Sequence, residues 1–227
     1  MSRIIVALDR VDKSIDWYKE FVSNTQEYVA GYKFGLPFLI RYGIRGFEEI
    51  SRLINEERLW IIDFKLADIS YIMIKSIEPF VEMGFNAFIA HSFIGRHGSL
   101  RELKEYLLEN NSKLILIYTM SHQGAIDVLD KSISIIEEVI ADIRPWGLVA
   151  PATRPEMIKR AKSFLHKNGI ETKILSPGIG YQGAKPGTAL QYGADYEIIG
   201  RLITYSSDPI SRIKQINSIH EKVMRNG

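Results

Sequence analysis

The chain contains no cysteine among its 227 residues. This absence excludes disulfide bonds, a thiolate nucleophile and any zinc site built on cysteine. An excess of one sign of charge is also missing, since 29 Lys and Arg residues stand against 27 Asp and Glu residues and leave a net charge of +2. A strongly basic nucleic-acid arm and a long acidic tail are therefore excluded, whereas a local basic pocket remains compatible with this balance.

Long hydrophobic runs and Ser/Gly-rich linkers are absent as well. The first apolar run, Ile4 to Leu8, is too short for the core of a signal peptide. The longest runs, such as 114–118, have the length of a strand, whereas a membrane span needs roughly 20 residues. We therefore expect a soluble cytoplasmic protein that binds neither membrane nor nucleic acid. Without a shift in composition along the chain, we expect residues 1–227 to form one domain.

Short β-branched runs alternate with longer amphipathic segments along the whole chain. The apolar runs predict strands over 3–8, 28–33, 59–65, 87–91, 113–118, 146–149, 172–175 and 196–200. Helical periodicity predicts helices over 12–24, 70–83, 125–143, 154–168 and 209–224. Several strands are apolar almost throughout, which is typical of parallel strands that are covered on both faces.

The ends of the predicted strands recur at regular intervals. Between Asp9 and Gly200 the mean interval is about 27 residues, which is the size of one strand–helix unit. Eight such units predict an α/β fold, a single closed (β/α)8 TIM barrel, with a doubly wound open sheet as the alternative. Active sites in such barrels lie at the C-terminal ends of the strands. Polar residues that end the apolar runs, Asp9 among them, are therefore candidate functional residues.

The third strand carries the most informative group of charges. Asp63 and Lys65 are two residues apart, which places them on one face of a strand, while Phe64 points toward the helices. Lys33, from the neighbouring strand, completes a Lys-Asp-Lys array, and Asp68 extends it. Partly buried charges persist only when they are paired, and a lysine held protonated in this way is a proton donor. A salt-bridge network without a catalytic role is the alternative.

The segments after the last two strands predict a phosphate site. The seventh strand leads into a glycine- and proline-rich segment, 177–187, and the eighth ends at Gly200 and Arg201. In barrels of this kind a phosphate often lies between these two loops. Glycines let backbone N–H groups approach an anion, and an arginine binds it through two parallel hydrogen bonds. An ordinary surface loop is the alternative. The glycines assigned to this site are Gly178, Gly180, Gly183 and Gly187.

A serine follows the fifth strand. Ser121 lies beside a histidine, but no G-x-S-x-G motif surrounds it, so a hydrolase nucleophile is not indicated. We expect Ser121 to hydrogen-bond the substrate, with the N-cap of a helix as the alternative.

Six motifs taken together resemble those of the orotidine 5′-monophosphate decarboxylase family, in its short microbial and archaeal-type branch. They lie in the family's order and spacing from residue 5 to about residue 205. The motifs are Ala-Leu-Asp9, Lys33-Phe-Gly, Asp63-Phe-Lys65-Leu-Ala-Asp68-Ile, Met-Ser121-His, Ser-Pro177-Gly with Gln182, and Gly200-Arg201.

The resemblance implies decarboxylation of orotidine 5′-monophosphate to uridine 5′-monophosphate, the last step of de novo pyrimidine biosynthesis, without a metal or an organic cofactor. Lys33, Asp63, Lys65 and Asp68 would form the catalytic array. Lys65 would deliver a proton to C6 of the pyrimidine, and Asp63 would lie near the departing carboxylate. Asp68 would reach into the active site of a partner subunit, which implies a homodimer.

The resemblance also implies the substrate contacts. Asp9 and Lys33 would contact the ribose, and Ser121 and Gln182 the pyrimidine amide. The phosphate would be held by Gln182, by Arg201 and by backbone groups near Gly200 and in the segment from Pro177 to Gly187.

One position departs from the family, and other functions remain open. Ile72 stands where the family usually has a threonine that contacts a ribose hydroxyl across the dimer, and its side chain cannot form a hydrogen bond. One alternative is a magnesium-dependent relative, such as 3-keto-L-gulonate 6-phosphate decarboxylase or hexulose-phosphate synthase, which shares the D-x-K-x-x-D element. Another is a barrel that binds phosphometabolites without turnover.

Overall fold

Eight parallel strands close into a barrel in the computed structural model, which describes residues 2–225. The strands are β1 (Ile4–Ala7), β2 (Gly31–Gly35), β3 (Leu59–Leu66), β4 (Ala87–His91), β5 (Lys113–Ile117), β6 (Gly147–Val149), β7 (Lys173–Pro177) and β8 (Tyr196–Ile199). Each pairs with its neighbour in chain order, and β1 pairs with β8, with Val6 opposite Ile199. This closure confirms the predicted (β/α)8 barrel over the open sheet.

Helices connect the strands and form the outer layer. They are α1 (Ile15–Thr25), α2 (Leu36–Ser51), α3 (Ser70–Glu82), α4 (Arg101–Glu109), α5 (Ile133–Ile143), α6 (Pro155–Lys167), α7 (Thr188–Gln191), α8 (Arg201–Thr204) and α9 (Pro209–Arg225). Short helical turns lie at Gln26–Tyr28, Ser92–Ile94, Arg96–Leu100 and Gln123–Ile126. Within residues 2–225, no helix has both the length and the apolar character that crossing a membrane requires.

The core lies inside the barrel and between the strands and the helices. Strand residues are almost all buried, because their alternating side chains face either the barrel interior or the helix layer. On the outer side of β2 and β3, Phe34, Phe38, Phe47, Phe80 and Phe85 pack mainly edge to face, with ring centroids 4.8–6.2 Å apart. This cluster fixes the strands that end in the predicted charged array.

Several predicted boundaries were wrong. The helix predicted over 125–143 is interrupted: a short turn, Gln123–Ile126, precedes α5, which begins only at Ile133. Asp130 lies in this interruption because its carboxylate is held by Thr119 and Arg154. The second strand begins at Gly31 rather than at Tyr28, which belongs to a helical turn.

Other differences concern helix ends and missed helices. Helix α1 begins at Ile15 rather than at residue 12 as predicted, because the Ser14 side chain accepts a hydrogen bond from the Trp17 N–H and caps the helix. Helices α2, α4, α7 and α8 were not predicted. Helix α2 is interrupted at Gly43, which adopts a left-handed φ of 62°, and this break obscures its periodicity.

Candidate active site

A cavity of about 560 Å³ opens at the C-terminal ends of the strands. Among its polar and glycine lining residues are the predicted Asp9, Lys33, Asp63, Lys65, Ser121, Gly178, Gln182, Gly200 and Arg201, together with Pro177. Apolar side chains such as Ile89, Ile117 and Ile198 form its floor. The barrel therefore brings most of the predicted site residues to one cavity.

A continuous chain of opposite charges crosses one side of this cavity. The Lys33 Nζ lies 2.9 Å from the Asp63 Oδ2 and 3.5 Å from the Asp9 Oδ2. The Lys65 Nζ donates a 2.9 Å hydrogen bond to the Asp63 Oδ1. The side chains of Lys33 and Asp63 are each only 9% exposed, whereas those of Lys65 and Asp9 are each 41% exposed. The inner pair thus supports an outer ammonium that faces the cavity.

The pairing decides the protonation of the buried groups. Burial opposes the charge on Asp63, but the Lys33 and Lys65 ammonium groups outweigh it and hold the pKa of Asp63 below its ordinary value. Burial likewise opposes the charge on Lys33, but the carboxylates of Asp63 and Asp9 raise the pKa of Lys33 above its ordinary value. At neutral pH both groups are therefore charged.

The backbone at the end of β3 departs from a regular strand. Its register with β4 shifts between Ile62 and Leu66, and Lys65 adopts a left-handed φ of 49°. The simple two-residue alternation of a regular strand therefore does not describe Lys65, although its side chain still reaches Asp63. Phe64 points outward as predicted and packs against Phe80, with ring centroids 5.2 Å apart. A non-glycine residue in this conformation costs about 1–3 kcal/mol, which the surrounding contacts must offset.

Asp68 lies outside this chain of charges. Its side chain is exposed, does not line the cavity and accepts a 2.7 Å hydrogen bond from the Ile69 N–H. Within residues 2–225 it makes no ion pair with Lys65. One subunit therefore brings together Asp9, Lys33, Asp63 and Lys65, but not Asp68.

The glycine-rich segment divides into a part at the cavity and a part behind it. Pro177, which ends β7, Gly178 and Gln182 line the cavity, whereas Gly180, Gly183 and Gly187 do not. Gly180 has a φ of 81°, and a Cβ there would lie 2.9 Å from the Leu202 Cβ, so the segment packs tightly on α8.

Arg201 and Ser121 both face the cavity. The Arg201 guanidinium stacks on the ring of Tyr181, 3.3 Å from its centroid. The Ser121 hydroxyl makes no hydrogen bond to any described residue, and the turn that begins at Gln123 has no side-chain N-cap. The alternative reading of Ser121 as an N-cap was therefore wrong.

Sequence reasoning missed five polar residues of the cavity: Arg10, Thr119, Tyr181, Thr204 and Tyr205. The Arg10 guanidinium pairs with Asp12, lies 3.9 Å from the centroid of the Tyr205 ring and donates to the Thr204 carbonyl. The hydrogen bond from Arg10 lowers the pKa of Asp12 to about 2. Arg10 directly follows Asp9, so the rule that selected residues at strand ends would also have found it. The aromatic partners have no comparable signal in the sequence.

A closed barrel whose strand ends carry a charged cavity is the architecture of a (β/α)8-barrel enzyme. The family model described as Orotidine 5′-phosphate decarboxylase / HUMPS family matches residues 2–216. The chain therefore belongs to this family, which confirms the resemblance drawn from the six motifs.

Individual relatives agree with this membership. The chain is 42% identical to the orotidine 5′-phosphate decarboxylase of Aeropyrum pernix over 95% of its length and 87% of that protein. It is 40% identical to the one of Saccharolobus solfataricus, over 99% of this chain and 95% of that protein.

Solved structures of the family also match closely. The crystal structure of orotidine 5′-monophosphate decarboxylase from Sulfolobus solfataricus matches with a TM-score of 0.85 and 36% identity, covering 99% of this chain and all of that one. The enzyme from Methanocaldococcus jannaschii, complexed with the inhibitor BMP, matches with a TM-score of 0.83 and 29% identity, covering 96% of this chain and 98% of that one.

Proposed function

We propose that this chain, an orotidine 5′-phosphate decarboxylase of pyrimidine biosynthesis, works without a metal or an organic cofactor and uses Lys65 as its proton donor. The chain of charges Asp9–Lys33–Asp63–Lys65 carries this proposal, because it holds an ammonium group at the cavity beside a buried carboxylate.

The proposed step breaks the bond between C6 of the pyrimidine and its carboxylate, which leaves as carbon dioxide. The electron pair of that bond stays on C6 and takes a proton from the Lys65 Nζ, which yields uridine 5′-monophosphate and a neutral lysine that solvent reprotonates. Asp63 repels the substrate carboxylate, and this repulsion disappears when neutral carbon dioxide forms. The negative charge that develops at C6 is stabilised by the Lys65 ammonium, so the array favours the transition state over the bound substrate.

The remaining cavity residues are assigned to binding. We assign the ribose to Asp9 and Lys33, and the pyrimidine amide to Ser121 and Gln182. The phosphate is assigned to Arg201, to Gln182 and to backbone groups of Gly200 and of the glycine-rich segment. A phosphate held far from C6 contributes binding energy that orients the reacting carbon against Lys65.

We also propose a homodimer in which Asp68 completes the active site of the partner. Two observations support this assignment: Asp68 points away from its own cavity, and large apolar side chains around it are exposed. Ile69, Tyr71 and Ile72, which lie within four residues of Asp68 in the chain, are 59%, 64% and 42% exposed. Isolated exposed apolar residues are ordinary, but a contiguous group of them marks an interaction surface.

The activity is tested by following the absorbance of orotidine 5′-monophosphate with the pure protein, with and without EDTA. Loss of the substrate band that EDTA does not affect is the expected result. An unchanged band, together with magnesium-dependent turnover of a sugar phosphate, would assign the chain to the other branch of its family.

The shared site is tested by mixing two inactive variants, Lys65→Ala and Asp68→Asn. If Asp68 acts across the interface, each mixed dimer contains one intact site, so a statistical mixture recovers about one quarter of the wild-type sites. If Asp68 acts in its own subunit, mixing recovers no activity.

A further inference from the structure

A buried carboxylate lies behind the cavity, on the helix side of β8. Glu197 is fully buried. Because side chains alternate along a strand, it points to the helix side, opposite to Ile198, which lines the cavity. It interrupts an otherwise apolar strand, four residues before Arg201. A charge in this position is costly unless several hydrogen bonds satisfy it. The hydrogen-bond partners of Glu197 therefore show which segments of the chain it fixes in place.

Three donors surround the Glu197 carboxylate. Its Oε2 accepts from the Gly187 N–H at 2.9 Å, and its Oε1 accepts from the Ala189 N–H at 3.0 Å. The Nε2 of His220, on α9, lies 2.8 Å from the same Oε2. The Oε2 already accepts from the Gly187 N–H, and the tautomer of His220 that carries its proton on Nε2 can donate to the same oxygen. His220 is itself 3% exposed, so the whole cluster is almost completely buried.

These donors lie at the far end of the glycine-rich segment. Gly187 is its last residue, adopts a left-handed φ of 87° and is buried, whereas Tyr181, Gln182 and Gly183 are exposed. A Cβ on Gly187 would lie 3.1 Å from side chains of α9, at Ile219 and Val223. The segment is therefore fixed at its end by Glu197 on one side and by α9 on the other, while its middle remains accessible at the cavity.

We propose that Glu197 and His220 are positioning residues for phosphate binding. They join the end of the glycine-rich segment to the strand that delivers Arg201, so both parts of the phosphate site keep one relative position. Without this anchor, the segment must be ordered when the ligand binds, and affinity for the phosphate-bearing ligand falls. The nucleoside part of the ligand is assigned to this segment only through Gln182 and otherwise to residues outside it, so its affinity falls less than that of the nucleotide. This inference rests on the phosphate site proposed above.

The experiment compares binding of uridine 5′-monophosphate and uridine by calorimetry. For Glu197→Gln, in which one donor loses its acceptor, and for His220→Leu, we expect binding of the nucleotide to weaken about tenfold more than binding of uridine. His220→Gln keeps an N–H that can reach Glu197 and should recover most of the nucleotide affinity. The paired His220 variants decide the question even if Glu197→Gln does not fold.

Glu137→Gln is the matched control. Glu137 is also a largely buried glutamate, 16% exposed, and it bonds Tyr118 and Arg160 away from the cavity. It should lower the melting temperature without changing the ratio of nucleotide to nucleoside affinity. The same unchanged ratio in folded Glu197→Gln and in His220→Leu would overturn the inference and leave the pair a purely structural role.

Arg201→Ala separates this inference from the proposed phosphate site. If Arg201→Ala lowers the ratio of nucleotide to nucleoside affinity while the Glu197 and His220 variants do not, only the positioning role of Glu197 and His220 is wrong. If Arg201→Ala also leaves the ratio unchanged, the phosphate assignment itself fails.

Discussion

The inner ion pair of the array allows a quantitative test by a double-mutant cycle of Lys33→Met and Asp63→Asn. The two charged atoms are 2.9 Å apart, and both side chains are 9% exposed. At an effective dielectric constant of about 20, two unit charges at this distance attract by roughly 6 kcal/mol. The cost of removing both charges from water offsets most of this attraction, so the intact pair contributes little net stability.

Removing one partner has a much larger effect than the net value of the pair. Either single substitution leaves a buried charge without its main partner, and breaking a buried pair costs about 3–5 kcal/mol. The remaining partners, Lys65 at 2.9 Å from Asp63 and Asp9 at 3.5 Å from Lys33, moderate the loss, so we expect about 3 kcal/mol for each single variant. The double variant leaves no unpaired buried charge and should be more stable than either single variant.

The assay is urea denaturation followed by circular dichroism at pH 7, at one fixed protein concentration because the proposed dimer makes stability depend on concentration. Because the double variant should lose less than the roughly 3 kcal/mol of either single variant, we expect a coupling free energy of more than about 3 kcal/mol between the two positions. A double variant whose loss equals the sum of the two single losses would refute the reasoning, because it would mean that Lys33 and Asp63 do not compensate each other's charge.

Three further predictions follow from the same site. Arg201→Ala should weaken binding of uridine 5′-monophosphate by about 1.5–3 kcal/mol, roughly 10- to 150-fold, and an unchanged dissociation constant would exclude its phosphate contact. Ile72→Thr restores a hydroxyl and should lower KM by about fivefold with stability changed by less than about 0.5 kcal/mol, whereas an unchanged KM would place the ribose away from this residue. The stability advantage of the wild type over the double variant Lys33→Met, Asp63→Asn should be constant between pH 3.8 and 10.5, the ordinary pKa values of an aspartate and a lysine. Outside this range the advantage should shrink. The Asp63 contribution is lost as pH falls through its lowered folded-state pKa, and the Lys33 contribution is lost as pH rises through its raised one. In denaturation curves that extend beyond both limits, an advantage that grows at acid pH would contradict the sign for Asp63, and one that grows at alkaline pH would contradict the sign for Lys33.

The fold was predictable because its signal is local and repeated. Each buried strand is a short apolar run, and the regular spacing between strand ends is the length of a strand–helix unit. The boundaries that failed depend on contacts between distant residues, as at Asp130, whose side chain bonds Thr119 and Arg154 and delays the start of α5. Propensity within a segment carries no information about such partners.

The site was predictable to the extent that it follows strand ends. Asp9, Lys33 and Asp63 each end an apolar run, and closure of the barrel brings those ends together. The left-handed backbone of Lys65 could not be read from sequence, because nothing in the local pattern requires it. The Glu197–His220 pair was equally hidden, since it joins residues 23 positions apart on elements that only the tertiary fold brings into contact.

The role of Lys65 as proton donor is the central claim, and Lys65→Ala tests it most directly. The measurement follows the absorbance of orotidine 5′-monophosphate with the wild type and with the variant, after calorimetry has established that the variant still binds uridine 5′-monophosphate. We expect the wild type to consume the substrate and the folded, ligand-binding variant to leave the absorbance unchanged. Substantial turnover by Lys65→Ala would contradict the account, because another group would then have to supply the proton to C6.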